Sequence, residues 1–257
     1  MDKVVKIFLG AVLVFLYLPI AVMILMAFNR SALYELPFTF DTIWFKALLS
    51  NERLMRASWN SVWIATVNAI IATILGTLAA YAFARFEFRA KRVLQLLLFP
   101  PITIPWLIIG TSMLIFFFWT GIGRGLHSIL LGHVALSLPY VIVVVGARFQ
   151  SFGPQLEEAA ATLGATPAQT FLRVTVPILA PGIVAAALFA FAVSFDQFVI
   201  SYFLAPPGTS TLPVEIYTAI RKGFTPEINA ISSIIIVVSM GLMLAVARLY
   251  KFGGERS

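Results

Sequence analysis

Residues 148–181 read RFQSFGPQLEEAAATLGATPAQTFLRVTVPILAP. Helix start and stop signals run through this stretch. Pro154 suits the first position of one helix, and Gly164 can end it. Within that helix Leu156, Ala159, Ala160 and Leu163 share a face at the i, i+3, i+4, i+7 spacing. Glu157 and Glu158 fall in its first turns, where carboxylates complement the helix dipole. Thr166, Pro167 and Gln169 open a second helix, with Thr as N-cap, Pro at the first helical position and Gln placed for a capping box. Ala159, Ala160 and Ala161 form a small-residue face, which lets a helix enter a groove on another protein closely. The stretch reads as a helical hairpin, not a slack connector. One long apolar run ends at Arg148, and another begins just after Pro177.

These apolar runs decide the fold class. The chain has 257 residues, 60% hydrophobic and 11% charged, whereas an ordinary soluble domain is about 25% charged. A water-soluble fold of this size would lack the polar surface to cover itself. That composition excludes a soluble enzyme, a nucleic-acid binder and a disordered chain; the solvent for most of the surface is lipid. A bilayer core of about 30 Å needs about 20 apolar residues as helix. Charge-poor runs of that length cover roughly 7–28, 59–84, 93–119, 126–147, 178–204 and 228–247, each about one bilayer crossing long. The expected fold is an all-α integral membrane protein with six transmembrane helices in a single domain, 1–257. The hairpin, at about 148–177, lies between helices four and five. The first run is longer than a signal-peptide core and no A-x-A-like site follows, so it reads as an uncleaved span.

The net charge is +7, and the charges sit in short gaps between apolar runs, where they control topology. Six crossings put both termini on one side. With a cytoplasmic N-terminus, the outer segments hold Arg30, Lys46, Arg53, Arg56, Arg124, Arg221 and Lys222. The other eleven of the 18 Lys and Arg residues, Arg256 among them, lie inside. The bias is clearest in the Arg85–Arg92 turn. Trp44, Trp59, Trp63 and Trp119 fall near the outer interface, as an aromatic belt would. Both termini and the hairpin are therefore expected to be cytoplasmic. Cysteine is absent, which leaves no disulfide framework, thiolate nucleophile or thiolate metal site. His127 and His133 are six apart and share no helical face, so they read as structural histidines, not metal ligands. Pro100, Pro101 and Pro105 interrupt the third run, either as a packed kink or as a broken helix facing a pathway. The kink is the expected form, since proline is common in transmembrane helices.

The hairpin also carries a family pattern. Glu158-Ala159-Ala160, three residues, Gly164, nine residues, Val174, one residue and Val176-Pro177 resembles the EAA loop of ABC importer permeases, EAA-x3-G-x9-I-x-LP. Val174 and Val176 stand where Ile and Leu are usual, and the spacing holds throughout. Ser194-Phe195-Asp196-Gln197 is similar to the S-x-D-[DE] stretch of spermidine/putrescine-type permeases. Residues 211–217 and 225–230 resemble the C-type subunit of that group. The resemblance implies a type I ABC importer permease fold in a bacterial inner membrane. It implies one of two membrane subunits, paired with a non-identical second permease, an ATPase dimer and an extracytoplasmic substrate-binding protein. Glu157, Glu158, Ala159, Ala160 and Gly164 would then couple to the ATPase. The permease itself would not be an enzyme and would bind no cofactor or metal, with ATP and Mg2+ on the partner ATPase. The sequence agrees in having no G-x4-G-K-[ST] phosphate loop.

Asp196 is the one acid well inside an expected span. Eighteen residues on from Ile178 puts it about 27 Å along the helix. An intramembrane carboxylate is a functional-site candidate. It either faces the pathway, or sits at the outer interface and pairs with Arg221 or Lys222. With Phe195, Phe198 and Tyr202 nearby it suits a cationic amine, by charge attraction and cation–π contact. Glu215 is a second candidate acid for the pathway, or a local ion pair with Arg221. The expected function is one half of a translocation path for a polyamine or similar organic cation. The alternatives are a different small solute for the same kind of permease, or an independent secondary transporter. A secondary transporter would need more intramembrane charge than Asp196 alone supplies.

Overall fold

A computed structural model describes residues 3–32, 35–223 and 225–254, with side chains through residue 241. Arg256, counted among the inner charges, lies outside the described residues. Thirteen α-helices form among them: α1 Lys3–Met26, α2 Ile43–Ser50, α3 Glu52–Arg85, α4 Lys91–Leu96, α5 Pro100–Thr103, α6 Trp106–Trp119, α7 Leu126–Gln150, α8 Gln155–Thr162, α9 Pro167–Thr170, α10 Val176–Phe195, α11 Phe198–Leu204, α12 Leu212–Lys222 and α13 Glu227–Gly254. A π-helical turn at Phe171–Thr175 joins α9 to α10. No strand forms among the described residues beyond one isolated antiparallel bridge between Asn29 and Phe40.

Four helical stretches are single, long and apolar enough to cross a membrane: α1, α3, α7 and the continuous helix Pro167–Phe195. A fifth crossing is available if the bent pair Lys91–Thr103 and Trp106–Trp119 counts as one; its halves meet at 110°. The described apolar part of α13, Glu227–Gly241, is shorter. The bend is sharper than the packed kink expected from the prolines. Ile104 precedes Pro105, and a residue before proline is pushed out of the α region. Ile104 indeed adopts φ −74°, ψ 135°, so the helix stops at Thr103 and restarts at Trp106.

The chain forms two compact units, residues 1–55 with 215–257 and residues 56–214. In the first, α13 packs against α1 and α2. Asn29 ties the segment after α1 together: its Oδ1 accepts the Thr39 N–H at 3.1 Å, and its carbonyl accepts Trp44 Nε1–H at 2.8 Å.

In the second unit, one core cluster joins α3, α7 and α10 through Ala69, Ala72, Val141, Val145, Leu179, Ala186 and Ala190. Small side chains let helices approach closely where lipid gives no hydrophobic drive between them. A second cluster joins α3, α6, α7 and α11 through Ile64, Phe117, Ile129, Leu136, Ile200 and Leu204. Glycines seat α11 in it. A Cβ on Gly132 would stand 2.7 Å from Ile200 Cγ2, and one on Gly110 2.9 Å from Phe203 Cδ2.

This packing makes a direct prediction. Gly132→Val overfills the seat of α11 and should destabilise the purified membrane protein by about 1–3 kcal/mol. Gly146→Ala, on the same helix with open space around it, should change stability by less than about 1 kcal/mol. The midpoint of unfolding in mixed detergent distinguishes the two.

Candidate functional site

The hairpin forms through local hydrogen bonds. Gly164 sits at φ +84°, a conformation that glycine adopts without strain. Its N–H donates to the Ala161 carbonyl at 3.0 Å, and the Ala165 N–H donates to the Ala160 carbonyl at 3.0 Å. These are the two bonds of a Schellman C-terminus. Two residues on, Thr166 Oγ1 accepts the Gln169 N–H at 3.3 Å while Gln169 Oε1 accepts the Thr166 N–H at 2.9 Å, the expected capping box. The second helix runs on into α10 through the π turn. Pro177 has no N–H to donate one turn back, and the wider turn lies where that bond is missing.

The two glutamates of α8 meet different surroundings. Glu158 and Ala159 are exposed and Ala160 is half-buried. Glu157 turns inward. Its Oε2 accepts from Arg85 Nε at 2.5 Å, and its Oε1 accepts from Thr175 Oγ1 at 2.5 Å. The side chains of Arg85 and Glu157 keep only 16% and 11% of their surface exposed. The Arg85 guanidinium also lies 5.2 Å from the Phe149 ring and 5.1 Å from the Phe152 ring. One carboxylate thus joins the end of α3, the hairpin helix and the π turn. On the outer side of α8, Leu156 and Leu163 are 55% and 90% exposed. Exposed apolar patches of this kind mark interaction surfaces in general.

The second site is a break in the fifth apolar run. α10 ends at Phe195 and α11 begins at Phe198, with Asp196 at φ −88°, ψ 0° and Gln197 at φ −73°, ψ 94° between them. Gln197 is buried and its Oε1 accepts the Val199 N–H at 3.2 Å, capping α11. Asp196 is exposed, and its carboxylate makes no ion pair among the described residues. Aromatic rings flank it in sequence: Phe195 stacks on Phe191 at 5.8 Å, and Phe198 meets Tyr202 at 5.4 Å. Glu215 belongs to the other compact unit. There it pairs with Arg53 Nε at 2.8 Å; Arg221 lies instead over the Tyr217 ring, 5.8 Å from its centroid.

Sequence reasoning passed over a polar seam inside the second unit. His133 is 2% exposed. Its Nδ1 is 2.8 Å from Ser194 Oγ, and its Nε2 is 3.1 Å from Ser201 Oγ. One turn along α7, Ser137 Oγ accepts from Asn68 Nδ2 at 3.0 Å, and Asn68 also donates to the Ala190 carbonyl at 3.0 Å. The available signal was His133 and Ser137 at i, i+4 on one face of an apolar helix, since polar side chains inside a membrane face partners or water. His127 is separate; its Nε2 lies 3.0 Å from the Ile122 carbonyl.

Comparison with known proteins places the chain in one family. Residues 72–254 match the family of binding-protein-dependent transport system inner membrane components. The spermidine/putrescine transport system permease protein PotC of Escherichia coli K12 is 33% identical over 238 residues, 93% of this chain and 90% of its own length. The putrescine transport system permease protein PotI of the same strain is 36% identical over 230 residues, 86% and 82% of the two chains. A chain of a bacterial alginate ABC transporter in complex with an alginate pentasaccharide-bound periplasmic protein has the same fold, with a TM-score of 0.72 at 19% identity over 95% of this chain and 92% of that one. The chain belongs to the binding-protein-dependent transport system inner membrane component family, the permeases of ABC importers.

Proposed function

We infer that this chain forms half of the translocation pathway of an ATP-driven importer for a polyamine such as spermidine or putrescine, or a similar organic cation. It acts as a single permease domain of six spans, 1–257, in a bacterial inner membrane, with both termini cytoplasmic. Its partners are a non-identical second permease, a cytoplasmic ATPase dimer that carries ATP and Mg2+, and an extracytoplasmic substrate-binding protein. The observation that carries the substrate reading is Asp196, an exposed carboxylate with no ion pair among the described residues, at a helix break with Phe195, Phe198 and Tyr202 close to it in sequence. A carboxylate with aromatic faces attracts an ammonium group and repels an anion. Glu215 is a further acid of the same pathway, held by Arg53.

The exposed side of α8 docks into the ATPase, and Glu157 passes its motion inward. Three features support this. Leu156 and Leu163 are bare, Glu158 and Ala159 point outward, and the Schellman turn at Gly164 fixes where α8 ends. Because Glu157 bonds Arg85 and Thr175, a pull on α8 reaches α3 and the start of α10 directly.

Asp196→Asn keeps the shape and removes the charge. In the reconstituted importer it should raise the KM for putrescine uptake about tenfold, the effect of about 1.4 kcal/mol. Unchanged uptake kinetics would take Asp196 out of the pathway. Gly164→Asp places a side chain at φ +84°, which costs about 1–2 kcal/mol outside glycine. With normal membrane insertion, substrate-stimulated ATP hydrolysis and uptake should fall together; full activity of both would remove the coupling role. Glu157→Ala leaves Arg85 without its acid and should destabilise the complex by about 2–3 kcal/mol. Glu158→Ala should cost less than about 0.5 kcal/mol, while still weakening ATPase docking; thermal unfolding of the two variants compares them.

A further inference from the structure

We propose that His133 is a positioning residue for the Asp196 carboxylate, acting through the break between α10 and α11. The proposal rests on the reading of Asp196 as part of the cation pathway. His133 itself is buried; its two ring nitrogens hold the two sides of the break at once.

The geometry makes the bridge specific to a broken helix. Ser194 and Ser201 are seven residues apart, and seven residues of unbroken α-helix would hold them about 10.5 Å apart along the axis. Bonds of 2.8 and 3.1 Å to the two nitrogens of a single five-membered ring do not span that distance. The bridge therefore forms only when the chain turns at Asp196 and Gln197, and while it lasts it keeps the chain turned. A neutral imidazole fits the task, because one nitrogen donates and the other accepts while each hydroxyl takes the complementary role.

The remaining contacts leave the turn in need of this clamp. Gln197 caps α11 with Oε1, but its Nε2 is buried without a partner among the described residues. An unpaired buried amide opposes the turned state. Gly110 and Gly132 seat α11 on α6 and α7 by close contact, which fixes its position but bonds nothing on the α10 side. The serine–histidine–serine bridge links Ser194 to Ser201 across the break, so the direction of the intervening Asp196 follows from it. A helix free to straighten there would carry the carboxylate round with it.

The test is a double-mutant cycle in the complete importer, reconstituted with its ATPase, second permease and binding protein, with putrescine as the probe. His133→Leu removes both arms of the bridge. At equal abundance in the membrane, it should raise the KM for putrescine about tenfold with the maximal rate within about twofold, and His133→Gln should recover part of the loss. In the Asp196→Asn background, His133→Leu should add nothing, because its effect passes through the carboxylate. If the two factors multiply instead, His133 is structural and the proposal fails while the Asp196 reading stands. A fall in maximal rate at unchanged KM also overturns it. Asp196→Asn without effect on KM defeats the pathway reading, and this proposal with it. Should His133→Leu fail to assemble, Ser201→Ala removes one arm and runs through the same cycle with the same outcomes.

Discussion

Inside a bilayer no water is available to a backbone N–H or C=O, so every interruption of a helix needs a protein partner or a wet cavity. That constraint governs where this chain can bend. Its long helices satisfy their own ladders. The places where they stop are few, and each has a visible device. At Pro105 the ring removes a donor and pushes Ile104 into an extended conformation. At the π turn before Pro177, one wider turn lies where a bond is missing. At Asp196–Gln197 a glutamine caps the new helix and a histidine bridges the two sides.

Two of these interruptions coincide with the parts that the family reading requires to move or to bind. The π turn joins the hairpin to α10, and Thr175 within it bonds the same carboxylate as Arg85. A displacement at α8 therefore need not be carried by a floppy loop. It meets a buried ion pair held between aromatic rings, in which charge, stacking and hydrogen bonding oppose slippage together. The break at Asp196 presents a carboxylate while Gln197 Oε1 takes up the Val199 N–H that the new helix leaves open. The π turn and the Asp196 break stand at opposite ends of one helix, α10, whose middle packs through Ala186 and Ala190 against its neighbours.

Much of the hairpin was legible because its determinants are local. The Thr166–Gln169 box and the Gly164 turn involve residues three to five apart. Such contacts follow from chain geometry, whatever the rest of the fold does. The division of labour between Glu157 and Glu158 was not legible. Adjacent residues on a helix point about 100° apart, but which one faces inward depends on Arg85, 72 residues away. The prolines likewise announced an interruption at 100–105 without its 110° angle. The angle depends on what the restarted helix α6 packs against, and its seat for α11 at Gly110 is a long-range contact.

Apolar content and charge spacing alone made this an all-helical membrane protein, because apolar runs of about 20 residues cross lipid as helices, which satisfy their backbone within the segment. The spacing of Glu158, Gly164 and Pro177 marked its family for the same kind of reason, since helix starts and stops are written in short-range chemistry. Tertiary structure alone decided the partners of the buried polar side chains. His133 could have been an idle core histidine or half of a metal site. It became a bridge because folding brought Ser194 and Ser201 to its two nitrogens from 61 and 68 residues away. No periodicity encodes that meeting: a hydrogen bond is directional and short, and its partners are chosen only when the helices have packed.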